Sequence, residues 1–268
     1  MQMKLGFIAH NDPENVEKDC LFAKENGYEG LEYNHWGSIK DLDENTVKQL
    51  AKIQQKHGIR CSMFGVWGWN HLSTDKATRK EALAMLDKGI KCAQILGADV
   101  FTTGGGEIPH EPIGTKVNEF VKVFAPYLKK MEKAKLVPCF YAVHGNSFFD
   151  GLAAYERVWE RLPQIRIKFD PANWMHHGDD YLEILERYGN KIGHIHIKEH
   201  LYRGNHRVAS QPAAGMGDVQ WGKVFAFLYE HDYKGWLSVE PHGSKWGRGE
   251  LRLKMLKLTK QYLQPFLV

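Results

Sequence analysis

The stretch GHIHIKEH, residues 193–200, alternates apolar and polar side chains. On a β-strand, residues two apart share a face. His194, His196 and Lys198 therefore share one face, and Ile195 and Ile197 share the other. Imidazoles bind metals and carry protons near neutral pH. Two other stretches are built alike. In IRIKFD, 165–170, Ile165, Ile167 and Phe169 oppose Arg166, Lys168 and Asp170. In GWLSVEPHG, 235–243, Leu237 and Val239 oppose Ser238, Glu240 and His242. In PCFYAVHGN, 138–146, Pro138, Phe140, Ala142 and His144 share a parity that is expected to face inward, and His144 ends the run.

Each residue alone has a plain structural explanation. An inward histidine is often a hydrogen-bonded core group. Asp170, before Pro171, suits a turn. Glu240 can pair with Lys198 or Arg203, and His144 fits a tight HGN turn. Together they say more. Two carboxylates and an imidazole in one confined mouth resist desolvation unless a cation lies among them. Mn²⁺, Mg²⁺, Co²⁺, Fe²⁺ and Zn²⁺ all suit this mixed donor set.

The elements that must position these groups recur along the chain. Strand-like runs are LGFIAH (5–10), GLEYN (30–34), RCSMFG (60–65), DVFTTG (99–104), PCFYAV (138–143), IRIKFD, GHIHIK (193–198) and GWLSVE (235–240). Helical patterns fall at 14–26, 44–57, 75–97, 114–134, 151–161, 179–189, 219–231 and 249–263. The clearest is 75–97, where Ala82, Leu86, Ile90 and Ala93 line one face, Asp75 suits the N-cap and Gly97 the C-terminal stop. Eight strand–helix units with short connections predict a parallel (β/α)₈ TIM barrel, a single domain over 1–268. An open doubly wound sheet is the alternative, but no G-x-G-x-x-G follows the first strand. The glycine run TTGGGE, 102–107, is weak evidence for phosphate binding. In a barrel, functional groups collect at the C-terminal strand ends.

Composition narrows the class. Thirty-six basic and 32 acidic side chains leave a net charge of +4. With no long basic run, a nucleic-acid partner is not expected. The four cysteines, Cys20, Cys61, Cys92 and Cys139, form no C-x-x-C and read as small buried hydrophobes. No stretch has the length and apolarity of a membrane span or a signal peptide. A soluble, cytoplasmic protein is expected. Several of the eight tryptophans, Trp36, Trp67, Trp69 and Trp246 among them, fall near loops, where aromatics line sugar pockets as well as ordinary core.

Over essentially the whole chain, the sequence resembles the sugar isomerase/epimerase family with a xylose-isomerase-like barrel. That family includes ketose 3-epimerases, hydroxypyruvate isomerase and inosose dehydratase, with endonuclease IV more distant. The resemblance rests on KFDPANWMHHGDD (168–180), IGHIHIKEH (192–200), GMGDVQW (215–221) and YKGWLSVEPHG (233–243). It implies a divalent-metal site, with Mn²⁺ favoured, built from Glu, Asp, His and Glu on the fifth to eighth barrel strands. Asp170, His196 and Glu240 match. The fifth-strand Glu would fall at Ala142, which can neither bind metal nor move a proton, and His144 is the substitute on offer. Many relatives carry Asp-x-x-His where this chain has Asn173, with His176 and His177 on the following loop.

The resemblance implies a metal-dependent isomerase or epimerase acting on a sugar or sugar-derived ketone through an enediolate. Glu240 and His144 are the proton-transfer candidates. Trp67, Trp69 and Trp246 are candidates for stacking on a sugar. Glu107, Lys198, Arg203 and Arg207 are candidates for orienting hydroxyls or a charged group, with ordinary salt bridges as the alternative. Without the fifth-strand Glu, a lyase or dehydratase acting on a 3-oxo-glycoside or inosose, with His144 as base, is the second reading. A catalytically inactive sugar-binding barrel and an endonuclease IV-like nuclease are the remaining classes. Relatives often form homo-oligomers. No membrane partner is expected.

Overall fold

A computed structural model describes residues 2–268. Strand and helix alternate: β1 (Lys4–Ile8), α1 (Pro13–Glu25), β2 (Gly30–His35), α2 (Glu44–His57), β3 (Arg60–Val66), α3 (Lys76–Leu96), β4 (Val100–Thr103), α4 (Ile113–Lys133), β5 (Val137–Tyr141), α5 (Leu152–Trp159) and β6 (Arg166–Phe169). Then come α6 (Pro171–His177), α7 (Tyr181–Tyr188), β7 (Ile192–Ile197), a hairpin of β8 (Leu201–Arg203) and β9 (His206–Val208), α8 (Trp221–Glu230), β10 (Trp236–Val239) and α9 (Gly249–Leu263). Eight strands close into a parallel barrel in the order β1-β10-β7-β6-β5-β4-β3-β2. This is the (β/α)₈ architecture read from the sequence, and β10 is its eighth strand. No helix among the described residues is long and apolar enough to cross a membrane.

Local chemistry sets the helix ends. Asp75 accepts a hydrogen bond from the Thr78 amide, and Gly97 closes α3 in the left-handed region at φ 63°. Ala82, Leu86, Ile90 and Ala93 of α3 are all buried. The segment after β6 is a short helix rather than the expected loop. Asp170 caps it by accepting from the Asn173 amide, and Pro171 begins it. His176 and His177 therefore sit in its last turn.

The fifth strand corrects the expected parity. Phe140 packs edge-on against Phe120 and Phe124 of α4, each 5.1 Å away, so it faces the helices. Cys139 and Tyr141 instead join Met63, Trp67 and Val100 in the barrel interior. Ala142 belongs to the helix-side core. The strand ends at Tyr141, and Val143 turns the chain at φ 52°, which delivers His144 to the rim. The glycine run after β4 serves packing. A Cβ at Gly104 would meet the Tyr141 hydroxyl at 2.5 Å, and one at Gly105 would meet Phe149 at 2.8 Å.

Beyond β7, Glu199 is fully buried and ties down the loop before α8. It accepts from the Gly215 amide at 2.9 Å, the Val219 amide at 3.2 Å and Trp221 Nε1 at 2.7 Å. Burial outweighs these donors and raises its pKa to about 7. A carboxyl whose pKa is higher folded than unfolded contributes stability that is present below the unfolded pKa and lost as pH rises through the folded one. Glu199→Gln keeps one acceptor oxygen and turns an amide toward the Val219 N–H. It is expected to destabilise by about 1–3 kcal/mol. The deficit relative to wild type should be larger at pH 5 than at pH 8, as read by chemical denaturation at both pH values.

Candidate active site

Glu32, on β2, is fully buried and receives two histidines from β7. His194 Nε2 lies 2.8 Å from Glu32 Oε2, and His196 Nε2 lies 2.8 Å from Glu32 Oε1. Asn34 Nδ2 donates to the same Oε1 at 2.7 Å, and its Oδ1 accepts from Trp67 Nε1 at 2.6 Å. Burial opposes charge on Glu32, but the two imidazoles hold its pKa well below the usual carboxylate range. The other nitrogen of His196 faces the mouth. Its Nδ1 is 2.7 Å from Glu240 Oε2 and 3.9 Å from Asp170 Oδ2.

Two buried ammonium groups share this space. Lys198 Nζ lies 2.9 Å from Asp170 Oδ2 and 3.3 Å from Glu240 Oε2. Lys168 Nζ lies 3.4 Å from Asp170 Oδ2 and 5.4 Å from the Trp67 ring centre. Burial penalises the Asp170 carboxylate, yet Lys198 and Lys168 hold its pKa down to about 2. Glu240 is likewise held well below its ordinary value, against burial, by Lys198 and His196. Burial also works against charge on Lys198 and His196. The facing carboxylates prevail, and both pKa values are raised.

These groups open into a cavity of about 350 Å³ lined by Lys168, His196, Lys198 and Glu240 on one side and by Trp36, Trp67 and His144 on another. Trp36 stacks on Trp67 at 5.3 Å and Trp67 on Tyr141 at 4.5 Å, the rings within 17° of parallel. Trp36 is 66% exposed and lines the cavity. His144 stands edge-on to Trp67 and Tyr141. Its Nε2 accepts from Asn173 Nδ2 at 3.1 Å.

Asp170, His196 and Glu240 bring one donor atom each to within 4.8 Å of one another. His144 is outside that group. The expected fourth ligand position is not filled from β5, because Ala142 faces the helices and His144 is carried to the rim. Of the expected substrate contacts, Trp67 and Lys198 line the cavity, and Arg207 lines an adjoining one. Four others lie elsewhere. Trp69 packs on the helix-side core, and Trp246 packs there too while donating to Ser210 Oγ at 3.2 Å. Glu107 pairs with Lys116 at 2.5 Å, and Arg203 projects from the exposed hairpin.

The donor chemistry fits a divalent cation. Carboxylates at both nitrogens favour the protonated His196 ring, and a divalent cation would displace the Nδ1 proton while Glu32 keeps the Nε2–H. Metal-bound histidines are anchored by a carboxylate in this way. Asp170, His196 and Glu240 would hold such an ion, which would supply Lewis-acid chemistry. The sequence offers Trp36 only among the loop aromatics that could line a sugar pocket, and gives Glu32, Asn34, Lys168 and Asn173 no role. For Glu32 and Asn34 the signal was present: in GLEYNH, Leu31 and Tyr33 alternate with them.

Comparison with known proteins agrees with this architecture. The chain is 23% identical over 245 residues to an uncharacterised Mycobacterium leprae protein, covering 80% of this chain and 82% of that one. It is 23% identical over 232 residues to a probable ketose 3-epimerase of Synechocystis, covering 81% and 75%. A local match to inosose dehydratase of Clostridium perfringens is 28% identical over 89 residues, 28% of this chain and 30% of that one. Among solved structures, L-ribulose 3-epimerase superposes with a TM-score of 0.80 at 17% identity, covering 99% and 94%. The IOLI protein with a bound zinc atom superposes at 0.78 and 15% identity, covering 98% and 97%. The model of the xylose isomerase-like TIM barrel family matches residues 20–262, and the chain belongs to that family.

Proposed function

We propose that this barrel is a divalent-metal-dependent isomerase or epimerase of sugars or sugar-derived ketones. The observation that carries the proposal is the convergence of donor atoms of Asp170, His196 and Glu240 within 4.8 Å of one another, with His196 and Glu240 lining a cavity beside the exposed Trp36. A zinc-bound IOLI protein and a probable ketose 3-epimerase among the similar proteins support it. A divalent ion held by these three side chains would act as a Lewis acid toward adjacent carbonyl and hydroxyl oxygens, and Mn²⁺ is our favoured candidate.

The chain's own groups do the rest. Glu240, held as a carboxylate, takes the acidic proton next to the substrate carbonyl and returns it. Lys198 and Lys168 place positive charge where the enediolate oxygens develop, in a site shielded from bulk water. Trp36, backed by the buried Trp67, offers a flat face to the sugar ring. His144 is the second proton carrier. Its Nε2 accepts from Asn173, so a neutral ring carries its proton on Nδ1. Reprotonation on the same or a neighbouring carbon gives epimerisation or isomerisation. One observation favours elimination as a second outcome: β5 brings no carboxylate to the mouth, and His144 is the titratable group there. The local match to inosose dehydratase points the same way.

Three measurements test the proposal. Glu240→Gln and His196→Ala should each lower metal-dependent solvent-deuterium exchange into a ketose panel by about 10²-fold or more, and His196→Ala should also lower bound metal. Full exchange in chelated protein would refute metal dependence. Glu32→Gln should weaken Mn²⁺ binding by roughly 10–100-fold in calorimetry, because it frees the His196 ring. Finally, partial burial, with Lys168 and Lys198 nearby, lowers the His144 pKa to about 4. If His144 acts as a base, the acid limb of the rate profile lies near pH 4, and a His144-dependent limb near pH 6.5 would count against it.

A further inference from the structure

A second cavity of about 500 Å³ adjoins the first and shares His144, Asn173, Lys198 and His242 with it. Its outer part is lined by His176 of α6, His200 beyond β7, Arg207 of β9 and Gln211. No carboxylate lines it. Among the described residues, Arg207 is in no ion pair. His200 is 2% exposed, and neither of its ring nitrogens has a hydrogen-bond partner. A buried imidazole in that state forgoes its donor and acceptor unless a bound group supplies them. The His176 and His200 ring centres are 5.4 Å apart. His242 Nδ1 donates to Gln211 Oε1 at 2.8 Å, which ties the loop after the hairpin to the end of β10.

We propose that this annex is an oxyanion subsite, so that the substrate carries a carboxylate or phosphoryl group, held by Arg207 with His200 and His176, beyond the carbon frame in the first cavity. The assignment rests on the carbohydrate reading of that first cavity. Arg207 supplies a planar fork of N–H donors matched to an oxyanion, and the imidazoles supply neutral donors. With the Asp170 and Glu240 carboxylates already facing Lys198 and His196, the annex presents uncompensated positive charge to an incoming group. The same charge works against protonation of its histidines. Burial, with Lys198 and Arg207, brings the His200 pKa down to about 4.

Calorimetric titration of the Mn²⁺-loaded 268-residue chain with inorganic phosphate, D-glucuronate and D-glucose tests this at low ionic strength. One of the two anions should bind more tightly than glucose. Arg207→Gln, a change on an exposed strand, should weaken that anion by roughly tenfold or more while leaving glucose binding within error. Phosphate ahead of glucuronate identifies a phosphoryl site, and the reverse order a carboxylate site. Absence of binding by either anion, or equal binding by wild type and a folded Arg207→Gln, overturns the subsite. Deuterium exchange separates it from the reaction itself. Anion binding lost in Arg207→Gln without exchange into any ketose leaves the subsite standing and the isomerase proposal fallen. Exchange into neutral ketoses without Arg207-dependent anion binding does the converse.

Discussion

Two carboxylates buried side by side at a barrel mouth demand positive charge between them. Asp170 and Glu240 impose that demand here, and much of the surrounding architecture answers it. Lys198 reaches between them, Lys168 approaches Asp170 from below, and His196 turns Nδ1 toward both. The histidine in turn needs an anchor, which Glu32 supplies from the opposite side of the barrel. Through Asn34 the same anchor is tied to Trp67 and so to the aromatic wall. The charged centre and Trp67 are one hydrogen-bonded unit, drawn from β2, β7 and the ends of β3, β6 and β10.

Period-two alternation made much of this legible in the sequence. On β6, β7 and β10 one face is uniformly apolar, so polarity alone assigns inside and outside, and Asp170, His196 and Glu240 followed. On β5 the same rule had nothing to read. Cys139 and Tyr141 point inward and Phe140 outward, and both faces are apolar. The strand also ends two residues before the expected boundary, and the positive φ of Val143 breaks the alternation before His144. Parity carried past a strand end has no physical basis.

Other misses have local causes. Trp69 and Trp246 lie near loops as Trp67 does, but the direction of a loop aromatic depends on tertiary packing rather than spacing. The β8–β9 hairpin is three residues a side, too short to carry an apolar period. The short α6 was announced by Asp170-Pro171 and Asn173, a capping arrangement that also reads as a turn. One residue thus serves twice: Asp170 accepts from the Asn173 amide while its other oxygen faces the lysines.

Lys198 and Glu199 are adjacent in the chain and point to opposite sides of it. Lys198 bridges the two mouth carboxylates, whereas Glu199 grips the segment 215–221 through three donors. Any displacement of the backbone at this point moves both grips together. The end of β7 therefore fastens the mouth carboxylates, through Lys198, and the loop before α8, through Glu199, to one stretch of backbone, so the position of the ammonium and the course of that loop are set by the same two residues.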